Sequence, residues 1–346
     1  MLSRRRFLVA GGAAAAVPTP TWADLGKPAF LAAAREADGD FALFGLDDTG
    51  ALTFRVPLPQ RGHAAAAHPH RAEAVAFARR PGTFALVIDC ASGQVLHRLS
   101  APEGRHFYGH GVFIDDGRIL ATTENDFATG DGRIGFWDVR AGYARLDEIP
   151  SGGIGPHEII RLSDDTLVVA NGGIRTHPDS GREKLNIDTI RPNLTYIRAG
   201  QVIETVELSD PKLSIRHIAA HPDGTIAMGL QSQRDPDAPV ALLAVHRRGR
   251  LLRTFGAEMS GVCRGYVGSV AWAGTGRRIA ITAPRGNRAA ILTDDTFETL
   301  HRPDICGVAM TRSGLAFTDG TGGVLTDHGA RKHPVAWDNH LVALAV

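Results

Sequence analysis

The chain of 346 residues is 43% hydrophobic and 22% charged, with 40 Gly and 19 Pro, a globular composition too apolar for a disordered chain. Thirty-eight Lys and Arg stand against 37 Asp and Glu, a formal charge of +1, which excludes the global positive field of a nucleic-acid binder or a polybasic membrane protein. Length alone suggests two or three domains, although a single all-β fold can be this long.

Residues 1–23 read as an export signal: SRRRFL at 3–8, an apolar run over 9–17, and Thr21, Trp22 and Ala23 as a small-residue cleavage site. The paired arginines point to the twin-arginine route and to the periplasm. The apolar run is about half the roughly twenty residues that span a bilayer. Removing three arginines leaves 35 basic and 37 acidic residues, so the remaining chain is nearly neutral. Cys90, Cys263 and Cys306 have no CxxC spacing and read as small buried residues, with one disulfide at most.

Beyond residue 24 no sustained 3.6-residue apolar period appears. Short β-branched and aromatic runs at 30–35, 41–46, 52–57, 84–88, 118–123, 134–139, 166–170, 225–230, 241–245 and 278–282 alternate with Gly, Asp, Asn and Pro clusters. One pattern returns seven times: a polar or tiny residue, a short apolar strand, then a turn residue. It starts at His63, His110, His157, His217, Ser269, Gly307 and His340, in steps of 47, 47, 60, 52, 38 and 33 residues, which bracket the length of one four-stranded propeller blade. One strand follows the last start and three precede the first. The expectation is a single domain over 24–346, a seven-bladed β-propeller closed by one C-terminal and three N-terminal strands, which removes open sheet edges.

Chain reversal at each turn places the starts of the inner strands and the loops between second and third strands on one face. The seven starts should therefore ring one mouth of the central channel, five of them His, although the chain has only 15 His in all. Imidazoles converging on an axis suit a transition metal, iron, copper, zinc or nickel, so His63, His110, His157, His217 and His340 are candidate ligands, with Glu158 and Asp338 beside them able to orient the rings. A water-filled channel lined by hydrogen-bonded His is the alternative.

The loops expected on that face are 124–133, 171–193, 231–235, 284–288 and 318–320. The longest carries Arg175, His177, Arg182 and Lys184, which could receive a carboxylate, a phosphate or an acidic protein surface; Arg285 and Asn339 are further candidates. Glu124, Asn125, Asp126 and Asn171 offer oxygens of the kind that hold calcium. No GxSxG elbow, phosphate-binding loop, HExxH or haem-attachment motif is present.

The motifs TENDF at 123–127 with GDGRIG at 130–135, GPHE at 155–158, ANGGIRTHP at 170–178 with GREKLN at 181–186, RH at 216–217, TAPRG at 282–286, DICGVA at 304–309 and WDNH at 337–340 resemble those of the twin-arginine-exported bacterial propellers catalogued as domain of unknown function 1513. The resemblance spans roughly residues 38–345 with order and spacing intact, departing at Ile190 and Asn193, where Met and Ser are expected. It implies a periplasmic propeller, encoded beside imelysin-type iron-uptake proteins and haem-containing oxidoreductases as prospective partners; a monomer is expected. Three functions follow as expectations: an accessory metal- or partner-binding protein of iron or copper acquisition, a metal-dependent oxidoreductase using the same His set, or a metal-free interaction platform.

Overall fold

A computed structural model describes residues 20–79, 83–181, 183–274 and 276–344. Its strands form seven four-stranded antiparallel sheets arranged as blades. In six blades the four strands are consecutive in sequence. In the seventh, the strand Val335–Ala343 pairs with Phe30–Glu36, followed by Phe41–Leu46 and Leu52–Leu58, the expected closure by one late and three early strands.

The innermost strands are Gly62–Ala67, Arg105–Ile114, Pro156–Arg161, Leu213–Ala220, Ser269–Trp272, Ile305–Met310 and Val335–Ala343. Each packs against the next and the last packs against the first, so they wall a closed axial channel. Both faces of a blade are covered, which is why these strands read as nearly continuous apolar runs rather than as strict alternation. In Phe30–Glu36, Leu31 and Ala33 pack toward the His63 blade while Phe30, Ala32 and Ala34 pack toward the Gly307 blade. The core is correspondingly seven separate layers among the described residues, one between each pair of neighbouring blades.

Two sequence expectations are corrected. Six of the seven repeat residues do not begin their inner strands; Ser269 does. His110 is sixth in Arg105–Ile114, His217 fifth in Leu213–Ala220 and His340 sixth in Val335–Ala343, so the histidines lie within the channel rather than around its mouth. Six of the seven inner strands shift register against their neighbours at or beside the repeat residue, for example across Tyr108–His110, at His157, at Arg216 and at Cys306. A bulge adds a residue, breaks the apolar alternation and re-aims a side chain, so the polar halves of these strands are invisible to a periodicity reading. The second correction concerns 124–133. Glu124 to Asp126 end the strand Ile119–Asp126 and Asp131–Asp138 follows, leaving only residues 127–130 as a loop. The long 171–193 connection is as expected and carries two short 3-10 turns, Pro178–Ser180 and Ile187–Thr189.

Residues 1–19 of the expected export signal lie outside the described residues. Its end is packed on the propeller: Trp22 Nε1 donates to the His68 carbonyl at 2.8 Å, and the ring lies 6.4 Å from that of Phe54. No helix among the described residues is long and apolar enough to cross a membrane. The three cysteines are free and buried.

Candidate metal centre

The bulges bring five imidazoles together on the axis. His110, His157, His217 and His340 are buried and His63 is half-buried. Ring centroids are 4.4 Å apart for His63 and His340, 4.7 Å for His110 and His340, 4.8 Å for His157 and His217 and for His217 and His340, and 5.0 Å for His110 with His63 and with His157. Gly109, at φ +101°, makes the crowding possible: a Cβ there would meet the His63 ring at 2.7 Å.

Two triads within this group each have ligand nitrogens within 4.8 Å of one another: His63, His110 and His157, and His110, His217 and His340. The Nε2 atoms of His63 and His110 are 3.3 Å apart. Metal–nitrogen bonds of about 2.0–2.1 Å in a tetrahedral site separate neighbouring nitrogens by about that distance. Nδ1 of His63, of His157 and of His217 and Nε2 of His340 are buried with no hydrogen-bond partner. Buried polar atoms are nearly always satisfied, and four orphaned lone-pair or N–H groups within one cluster are a cost that bound cations would relieve.

Protonation is set for the same chemistry. Burial, then mutual repulsion with neighbouring His and Arg groups, holds the imidazoles of His63, His110 and His157 well below their ordinary value, and His217 and His340 fall to about 3. Near neutrality all five are therefore neutral, the form that ligates metal.

Glu158 sits beside them. Its carboxylate accepts the Ile218 N–H at 2.9 Å and lies 3.4 Å from His217 Nδ1 and 3.8 Å from His110 Nδ1. Burial pushes this carboxyl up to about 7, against the opposing pull of His340 and the Ile218 N–H. On one side the cluster closes a cavity of about 560 Å³ that runs along the axis: His110, Glu158 and His340 form its floor, Ala66, Val112, Ile159, Val270, Val308 and Val342 are among its walls, and Trp22, His68 and Trp272 also line it. On the other side Arg79 and Arg216 exert repulsion on the rings.

The remaining candidates are engaged elsewhere. Asp338 is buried and takes Arg61 at 2.5 Å and Arg79, along with the Asn339 N–H at 2.7 Å; it anchors two arginines near His63 rather than a ring nitrogen. Glu124 is fully buried and bound bidentately by Arg145 at 2.6 and 2.9 Å, with Thr122 Oγ1 at 2.7 Å. Asn125 donates to the Thr176 carbonyl, Asp126 pairs with Arg105 at 2.8 Å and takes the N–H groups of Ala128 and Thr129, and Asn171 is spent on Ser151, Asn193 and Thr195. The oxygens of Glu124, Asp126 and Asn171 are thus taken up by local partners, the first two in one network through Glu148, while Asn125 Oδ1 is buried without a hydrogen-bond partner.

In the long loop, Arg175 reaches the Ala128 carbonyl at 2.9 Å, His177 packs on Phe127, and Lys184 donates to Gln233 at 2.5 Å. Arg285 lies over the Tyr266 ring at 4.1 Å. Arg182 lies outside the described residues. Sequence reasoning missed Arg61 and Arg79, whose partner Asp338 is 277 and 259 residues away; nothing local marks them.

The family model for a protein of unknown function (DUF1513) matches residues 56–344. The chain belongs to this family. The propeller architecture of this chain is shared with solved structures at low identity. The structure of a catalytically inactive virginiamycin B lyase from Staphylococcus aureus with quinupristin has 12% identity and a TM-score of 0.60, covering 91% of this chain and 95% of that one. A streptogramin B lyase structure has 10% identity and a TM-score of 0.54, covering 82% and 83%. At such identities the likeness is one of fold alone. No curated protein matches the chain.

Proposed function

We propose that this DUF1513 propeller binds a transition metal, iron or copper, at the five-histidine cluster and serves as an accessory protein of metal acquisition in the periplasm. The observation that carries the reading is the convergence of neutral, buried imidazoles with orphaned ring nitrogens on the propeller axis. A polar channel lining would pair those nitrogens with backbone groups or with each other, as the His246 ring is paired with Tyr196 at 2.8 Å between the third strands of neighbouring blades. Prospective partners are the imelysin-type iron-uptake proteins and haem-containing oxidoreductases that the family resemblance implies.

A second reading, a metal-dependent oxidoreductase, draws on one feature: the cavity of about 560 Å³ whose floor is part of the cluster, a size suited to a small organic substrate.

The deciding measurement is the metal content of protein exported through its own leader and purified without chelators. Stoichiometric iron or copper, lost in His157→Ala and His217→Ala, is expected. A metal-free wild type that takes up neither ion when offered it, and behaves like both variants, overturns both readings. If metal is present, a centre that does not change oxidation state with mild oxidants and reductants removes the oxidoreductase reading and leaves storage or transfer.

A further inference from the structure

The five histidines do not surround one point. They form two triads that share a single member, His110, and the two ring nitrogens of His110 face different neighbours. Its Nε2 is 3.3 Å from His63 Nε2, whereas its Nδ1 is 3.8 Å from a Glu158 oxygen. The same Glu158 carboxylate lies 3.4 Å from His217 Nδ1 through its other oxygen. An imidazole has its two nitrogens on opposite sides of the ring, each able to present an in-plane electron pair once deprotonated, so a histidine placed this way can hold two ions at once.

The geometry points to a dinuclear centre in which His110 bridges two metal positions within the channel. The first is held by His63, His110 and His157. The second is held by His110, His217 and His340, with Glu158 as an oxygen ligand. This rests on the metal-binding reading above and goes beyond it by placing a second ion and assigning Glu158 to it.

The two positions differ in access. Of the second group, His110, His340 and Glu158 border the axial cavity; neither His63 nor His157 does. The ion on the Glu158 side therefore meets whatever small molecule fills the cavity, in the manner of open metal positions that keep one coordination site for an outside ligand. As the second ion binds, His110 gives up its remaining ring N–H proton to solvent, and each ion then takes one nitrogen's electron pair.

Copper(II) loading of the metal-stripped, full-length exported protein separates the possibilities. Two coppers per chain are expected, with most of that copper silent in low-temperature electron paramagnetic resonance, because spins coupled through one imidazolate cancel. His63→Ala and His217→Ala should each retain one copper, now visible in full, and His110→Ala should abolish the coupling whatever copper it retains. Circular dichroism checks that each variant keeps the propeller, and if His110→Ala does not fold, the ratio of spin to copper in the wild type decides alone. Saturation at one copper overturns the bridge and leaves the metal-binding reading intact, and so do two fully visible, independent coppers. No copper at all overturns the bridge, and the metal-binding reading falls with it if ferrous iron offered to the same stripped protein is not taken up either.

Discussion

Glu124 and Glu158 sit in adjacent blades, and the comparison between their surroundings separates a carboxylate that the fold supplies with partners from one that it leaves largely unsupplied. Glu124 is sealed from solvent and fully supplied: two charge-assisted bonds from Arg145, a hydroxyl from Thr122, and a Gly135 whose Cβ, if added, would fall 2.0 Å from its Oε1. Every element around it is shaped to pair it. Glu158 has one backbone donor and otherwise faces imidazoles that burial keeps neutral. Partner supply tells the two apart more than exposure does, Glu124 being sealed and Glu158 mostly covered: a buried polar group that the fold satisfies holds the fold together, and a cluster left unsatisfied is where a ligand would be accommodated at least cost.

The comparison breaks most readily at Glu124. Removing one partner of a buried ion pair strands the other, so Glu124→Ala should lower the unfolding free energy by about 3 kcal/mol, read by denaturant titration; a loss under about 1 kcal/mol would mean that Arg145, partly exposed, simply turns to water.

The axial cluster should instead appear as acid sensitivity of the metal-free protein. Ordinary imidazoles in the unfolded chain protonate below about 6.5, while His217 and His340 in the fold do so only near 3. Between those values the unfolded state binds more protons, so stability is full above 6.5 and falls with pH by about 1 kcal/mol per unit for each. Glu158 acts in the opposite sense between its ordinary value of 4.5 and about 7, because the folded state there holds the extra proton, and offsets roughly one histidine. Denaturation midpoints between pH 6.5 and 4 should therefore drop, and a flat profile would show that the rings are hydrated and titrate normally.

A smaller effect sharpens the same contrast. His217→Ala in the metal-free protein deletes an orphaned nitrogen, and the relief offsets most of the lost packing, so stability should stay within about 1 kcal/mol of wild type even as metal capacity falls; a loss as large as that of Glu124→Ala would make His217 structural. Smallest of all is Arg61→Ala. Its side chain is half exposed and Asp338 keeps Arg79, so a change below about 0.5 kcal/mol is expected in thermal melts.

Much of the fold was legible because blade repeats space themselves in sequence. The seven starts mark seven inner strands, and the surplus strands at either end mark the closure. The bulges were not legible: in Arg105–Ile114 the residues before Gly111 look like loop because Tyr108 to His110 interrupt the pairing that continues on both sides. Missing them placed the histidines at a mouth instead of inside the channel. Glu124 to Asp126 misled for a related reason, since a strand end whose polar side chains are met by Arg145, Arg105 and Thr176 from elsewhere in the chain has the composition of a loop. That the histidines meet was foreseeable from the repeat; that they form two groups hinged on His110 depends on ring orientation, which no spacing encodes.

Closure of the ring has one more consequence. Val335–Ala343 is translated after every other strand, and it carries both the pairing to Phe30–Glu36 and the fifth imidazole, His340. The complete cluster therefore cannot exist on a partly made chain, however well the earlier blades have formed. Any ion that requires His340 is a ligand for the finished circle only, and its binding energy becomes a latch on the one seam where the circle was joined.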